Sequence, residues 1–182
     1  MREMHTLFAW NLTGEKFVIQ CLSYWEAGSF FKGGDHVDSI QVNFKRLSPL
    51  AKIPKYSTAG AAAFDLYAAI EESITIQPGE RVEIQFGFAI EIPRGYKMDI
   101  RSRSGLFRDH NIEVYSGLID SDYRGPISAW VTNGGDEAFT VECGDRVAQG
   151  EISTYQRVHF AVGDTLSETQ RGEKGYGSTG IK

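Results

Sequence analysis

The sequence predicts an all-β domain of the jelly-roll or sandwich kind, on three features. From Arg81 to Ile92 the residues Val82, Ile84, Phe86, Phe88, Ile90 and Ile92 take every even position, with Arg81, Glu83, Gln85 and Glu91 among the odd ones. That is the period of a strand with one buried face. Turn-forming clusters recur at Pro78-Gly79-Glu80, Pro93-Arg94-Gly95, Asn133-Gly134-Gly135-Asp136 and Cys143-Gly144-Asp145, each flanked by β-branched or aromatic residues. No helical period lasts longer than a turn or two, which disfavours βαβ units and leaves many short strands.

A length of 182 residues suits one domain with an appendage and a core of useful size. Hydrophobic residues at 41% and charged residues at 24% place the chain among ordinary folded proteins. With 19 Lys+Arg against 24 Asp+Glu the formal charge is −5, so the overall field opposes stable nucleic-acid binding. No stretch has the length of a membrane span, and the N-terminus lacks the pattern of an export signal. Cys21 and Cys143 form no C-x-x-C pair, so neither a disulfide framework nor a cysteine metal site is expected. A cytoplasmic protein without a membrane partner is the expectation.

Residues 1–39 differ in texture, with Phe8, Trp10, Phe17, Tyr24, Trp25, Phe30 and Phe31 ahead of the Gly33-Gly34-Asp35 break. Such an aromatic extension suits an extra hairpin that covers a patch or sheet edge, or an arm that recognises a partner. The main domain is expected over 40–170. The strand at Arg81–Ile92 is followed by one over Gly95–Ile100, after which Arg101-Ser102-Arg103-Ser104-Gly105-Leu106 gathers cations, hydroxyls and a glycine. This composition suits a charged turn, or a cradle of backbone N–H groups and a guanidinium around phosphate oxygens.

Gly117 through Asp122-Tyr123-Arg124-Gly125-Pro126 to Val131 resembles a hairpin ribbon with a longer loop. Within it Asp120 directly follows an apolar triplet, where a strand gives out. A carboxylate there is either a turn cap or a general base able to take a proton from water. Tyr123 is a core-edge ring or a flat surface for a sugar. Gly144-Asp145-Arg146-Val147-Ala148-Gln149 opens a further strand, with Gln149 placed to touch a ligand and Arg146 suited to an ion pair with a neighbouring acid. The segment 171–182 carries Gly172, Gly175, Gly177 and Gly180 among Arg171, Tyr176, Ser178 and Thr179. It is a floppy tail or a flap that wraps an anion. Phosphate-friendly segments, a placed carboxylate and a stacking aromatic in one chain together describe a nucleoside triphosphate site.

These residues resemble the all-β homotrimeric dUTPases, and all five motifs of that family occur in order. Ala63-Phe64-Asp65-Leu66-Tyr67-Ala68 is similar to the first, Arg103-Ser104-Gly105-Leu106 to the second and Gly117–Gly125 to the third. Gly144–Gln149 resembles the fourth and Arg171–Gly180 the fifth. The resemblance implies a distorted jelly roll or barrel forming a homotrimer with shared active sites, each closed by a neighbour's glycine-rich arm. It implies Mg²⁺-dependent hydrolysis of dUTP to dUMP and pyrophosphate, with Asp120 activating the water that attacks the α-phosphorus. Asp65 would hold Mg²⁺ through water. Arg103, Ser104, Gly105, Gln149, Arg171, Gly177, Ser178 and Thr179 would bind phosphates, and Tyr123 would pack on the deoxyribose. The main chain around Ser116, Gly117, Leu118 and Ile119, with Ser128 opposite, would bind uracil beneath Tyr176.

Three positions depart from the family pattern: Tyr115-Ser116 before Gly117, Tyr176 where Phe is usual, and Pro126 after Gly125. A dCTP deaminase-like enzyme shares the implied fold but needs a catalytic Glu, and Ile127–Asn133 contains no acid. A nucleotide-gated regulator that grips a protein through residues 1–39 is the other alternative.

Overall fold

The structure is a computed structural model that describes residues 7–10, 16–19, 39–115 and 117–173. The chain divides into two compact units, Met1–Ile40 and Gln41–Lys182. In the first, β1 (Leu7–Trp10) and β2 (Lys16–Ile19) pair antiparallel, Leu7 opposite Ile19 and Trp10 opposite Lys16.

The second unit carries β3 (Asn43–Arg46), β4 (Lys55–Tyr56), β5 (Phe64–Tyr67), β6 (Ile74–Ile76), β7 (Arg81–Gln85), β8 (Phe88–Glu91) and β9 (Tyr96–Ser102). After β9 come α1 (Ser104–His110), β10 (Ile112–Val114), β11 (Gly117–Ile119), β12 (Ser128–Asn133), β13 (Phe139–Val141) and β14 (Arg146–Thr154). The largest sheet has the order β11-β9-β14-β5-β4, and a second has the order β10-β12-β7. Two-stranded pairs β13-β6 and β3-β8 complete the described strands of this unit. Among the described residues strands dominate and one short helix interrupts them, as the sequence predicts for an all-β, jelly-roll type of fold. No helix among the described residues is long and apolar enough to cross a membrane.

The core forms where inward faces meet. Leu66, Ile76, Ile84, Phe86, Phe88, Met98, Ile100, Ile112, Ile127, Val131, Val141 and Val147 are all buried. In β9 this makes Met98 and Ile100 the inward pair, while Lys97, Asp99 and Arg101 line the opposite face.

Two expectations are corrected. The run from Arg81 to Ile92 is two strands rather than one, because Gly87 adopts φ +72° and the chain leaves the β12 partner for β3. Alternation survives the break, so Phe86 and Phe88 both stay buried. Nor is the segment from Gly117 to Val131 a hairpin: β11 pairs with β9, and β12 pairs with β10 and β7. The chain changes sheets between Tyr115, whose N–H donates to Trp130, and Gly117, which lies opposite Ile100. Local alternation is the same for both pairings, so only long-range packing decides between them.

Candidate active site

A polar cluster lies on the outward face of the five-stranded sheet, around Asp65. Its position in β5 places it opposite Gln149 of β14, which in turn lies opposite Arg101 of β9. Asp65 is 7% exposed, and both its carboxylate oxygens are engaged. Arg103 Nε lies 3.2 Å from Oδ1, while Arg146 Nη1 lies 3.3 Å from Oδ2. The Ser57 hydroxyl donates to Oδ2 at 2.7 Å. Arg103 also donates through Nη1 to the Arg146 carbonyl at 2.9 Å, and Gln149 Nε2 donates to the Ser102 carbonyl at 3.0 Å. Segments 57, 65, 102–103 and 146–149 are thereby drawn to one spot.

Arg103 directly follows β9 and stands at the N-cap of α1 with extended backbone, φ −87° and ψ 127°. Ser104 and Gly105 follow in the first turn, where backbone N–H groups have no acceptor within the helix. That turn contains no acidic residue. Two guanidiniums, open N–H groups and an amide beside them provide what triphosphate oxygens need. Asp65 holds both guanidiniums in place and leaves the trio with one net positive charge.

Asp120 is exposed and immediately follows β11, so the strand does give out where the sequence predicts. Its carbonyl accepts from Tyr123 N–H at 3.1 Å, which closes the turn. The Tyr123 hydroxyl donates to the Pro126 carbonyl at 3.1 Å. Its ring lies so close over Gly125 that an added Cβ there would meet the hydroxyl oxygen and the ring carbon that bears it. A glycine at 125 is therefore what lets the ring fold back and leave its face open at the surface. Gly117, Leu118 and Ile119 form β11 itself, with Leu118 56% exposed.

Ser128 is not opposite Gly117. It pairs with Gln85 of β7, and its hydroxyl donates to Glu83 at 2.6 Å. Arg171 lies at the end of the described chain. Ser116, Tyr176, Gly177, Ser178 and Thr179 lie outside the described residues.

The two groups of residues are far apart within one chain. Extending the β11–β9 register by one places Asp120 beside Lys97, four residues along β9 from Arg101. Four residues along the strand and three strand spacings across it separate Asp120 from Asp65 by roughly 20 Å. Within this chain Asp120 and the Asp65 cluster do not meet.

Sequence reasoning missed Ser57 and the double engagement of Asp65. Ser57 has no local signature; it reaches Asp65 because β4 pairs with β5, Lys55 opposite Asp65. The acid expected to pair with Arg146 is Asp65 itself. Among the described residues no three His, Cys, Asp or Glu side chains gather to chelate a metal. One carboxylate alone fits a hard ion that keeps its waters and arrives with a triphosphate, rather than a permanently resident one.

The family model for dUTPase matches residues 50–180. The chain is similar to the deoxyuridine 5'-triphosphate nucleotidohydrolase of Treponema denticola, 44% identical over 140 residues, which cover 76% of this chain and 97% of that one. It is also similar to the enzyme of the same name from Rhizobium leguminosarum bv. trifolii, 45% identical over 133 residues, 71% of this chain and 85% of that one. Among solved structures, Staphylococcus bacteriophage 80alpha dUTPase with dUpNHpp superposes with a TM-score of 0.73 at 25% identity, covering 79% of this chain and all of that one. A dUTPase from phage phi11 of S. aureus, described as coordinating a structural Mg(II) ion, gives a TM-score of 0.66 at 20% identity over 71% of this chain and all of that one. Five ordered motifs, a strand-built fold and matches of this extent lead to one assignment: the chain belongs to the dUTPase family.

Proposed function

We propose that the protein is a dUTP diphosphatase that hydrolyses dUTP to dUMP and pyrophosphate in active sites shared between the subunits of a homotrimer. The observation that carries the shared site is the separation of roughly 20 Å between Asp120 and the Asp65 cluster, set by strand register. Hydrolysis needs a base and phosphate-binding groups at one substrate, so Asp120 of one subunit works with Arg103, Ser104, Gly105 and Gln149 of another. Residues 171–182 serve as the arm of a further subunit, with Arg171, Gly177, Ser178 and Thr179 on phosphates and Tyr176 over the uracil.

Asp120 accepts a proton from a water molecule as the water oxygen bonds to the α-phosphorus. The bond from that phosphorus to the bridging oxygen breaks, and its electron pair leaves with pyrophosphate. Positioning and charge stabilisation carry most of phosphoryl-transfer catalysis, which gives Arg103 and the first-turn N–H groups of α1 as large a part as the base. Mg²⁺ would be held by triphosphate oxygens, with Asp65 reached through its waters, and would neutralise phosphate charge. The exposed face of Tyr123 packs on the deoxyribose and has no room for a 2′-hydroxyl. The main chain of 116–119 reads uracil.

The direct experiment is incubation with Mg²⁺ and dUTP, dTTP, UTP or dCTP in turn, with pyrophosphate as the readout. Turnover is expected with dUTP alone, and Asp120→Asn should lower it roughly 100-fold or more while nucleotide binding persists. Intact dUTP after incubation with the native protein overturns the proposal.

A further inference from the structure

A cleft of about 630 Å³ shares no lining residue with the Asp65 cluster, and Ser121, Asp122 and Arg124, which directly follow Asp120, form part of its wall. Arg94, Arg124 and Arg157 line it together with Glu91 and Asp122. Three guanidiniums in one cleft are unexpected in a chain of formal charge −5.

Their partners are unequal. Arg124 is engaged on both Nη atoms: Nη1 donates to the carbonyls of Ser121 at 2.7 Å and Tyr123 at 2.8 Å, and Nη2 lies 3.2 Å from Glu91 Oε1. Glu91 is committed as well, because its Oε2 accepts from Asn43 Nδ2 at 2.9 Å. Arg94 and Arg157 make no ion pair among the described residues, since the salt bridges found there involve other side chains. With Glu91 and Arg124 cancelling, the cleft holds two guanidiniums without an ion pair among the described residues and one carboxylate, Asp122. One acid leaves this pair of cations with an excess positive charge, which an oxyanion offsets while taking paired N–H donors.

We propose that this cleft is a binding site for a hydrogen-phosphate group, gripped by Arg94 and Arg157, with Asp122 accepting the P–OH hydrogen. A carboxylate in an anion site selects for an oxyanion that still carries a proton. At neutral pH hydrogen phosphate has one and sulfate has none, so Asp122 discriminates between them. The volume also admits a small phosphate ester, which presents the same chemistry.

Calorimetric titration of the full-length protein, with dUpNHpp present to fill the phosphate-binding part of the active site, tests this. Inorganic phosphate should bind once per chain, and sulfate about tenfold or more weaker, a difference of about 1.4 kcal/mol. Arg94→Gln with Arg157→Gln should abolish measurable phosphate binding. Both side chains are exposed, so the fold is retained and circular dichroism verifies it. Asp122→Asn should bring sulfate and phosphate affinities together. Glycerol 3-phosphate in place of phosphate tells an ester ligand from the free ion by which binds more tightly, and either result supports the site. Absent phosphate binding, or binding unaltered in the double variant, overturns it. Should dUpNHpp itself fail to bind, the proposed dUTP hydrolysis is in doubt, but the comparison of native and double-variant phosphate affinity still decides the cleft.

Discussion

Arg103 and Asp65 join the end of one strand to the middle of another, Nε to Oδ1 at 3.2 Å, and by doing so fix the N-terminus of α1 against the five-stranded sheet. The pair is asymmetric in exposure: the Asp65 side chain is 10% exposed, Arg103 26% and the second partner, Arg146, 49%. The acid is therefore the desolvated member, and its two guanidiniums keep their outer edges in water. A carboxylate in that setting is tolerated because both oxygens are satisfied.

Asp65→Asn keeps the shape and removes the charge. Two neighbouring guanidiniums then lose their shared acid, and urea unfolding should show a loss of about 1–3 kcal/mol, between the values for exposed and for buried pairs because both arginines are partly solvated. Pyrophosphate release should also fall sharply, since Arg103 is no longer held where phosphate binds. Unchanged stability and turnover would deny Asp65 both roles.

The distance between Asp120 and the Asp65 cluster makes a complementation test decisive. Asp120→Asn and Arg103→Gln subunits should each be nearly inactive alone. Mixed in equal amounts and reassembled, about a quarter of interfaces join an intact Asp120 to an intact Arg103, so activity should recover to that order. No recovery in mixed trimers would place both residues of a site in one chain.

Much of the site was legible because its signals are local. Asp120 follows three apolar residues, and the structure has β11 end at Ile119 before it. Gln149 and Arg146 open a strand as expected. What local sequence does not encode is which strand each neighbour joins. Gly117–Ile119 and Ser128–Asn133 have equally good strand patterns, yet they enter different sheets, and Ser128 ends beside Glu83 instead of facing Gly117. Ser57 was invisible for the same reason, as its bond to Asp65 depends on pairing of β4 with β5. The helix at Ser104–His110 is short enough for a turn signal and a helix signal to look alike.

The break at Gly87 gives a stability test of the fold. Its φ of +72° is costly for a side-chain-bearing residue, and a Cβ would sit 2.8 Å from that of Ala69 and 3.0 Å from that of Ser48. Its carbonyl also accepts from both Leu47 and Ser48 N–H at 2.9 Å, so the segment has little freedom to relax. Gly87→Ala should cost about 2–4 kcal/mol by denaturant unfolding. A neutral result would mean that the chain passes from β7 to β8 without this turn.

Glu91 supplies the pH-dependent prediction. The hydrogen bond from Asn43 first, and the charge of Arg124 after it, hold its carboxyl below the ordinary carboxylate range. A depressed folded value means that the unfolded chain binds the proton more tightly. The stabilisation is therefore complete above the unfolded pKa and is lost as pH falls through the folded one. Because Glu91 is exposed, the contribution is small and weakens with salt. Side-chain carbon NMR across an acid titration should find Glu91 titrating below the other exposed glutamates, and Asn43→Ala should move it upward. Glu91 with its proton lost is the form that pairs with Arg124, which is anchored on the Ser121 and Tyr123 carbonyls. Titration of Glu91 together with the other exposed glutamates would remove this link from Asn43 to the Asp120 turn.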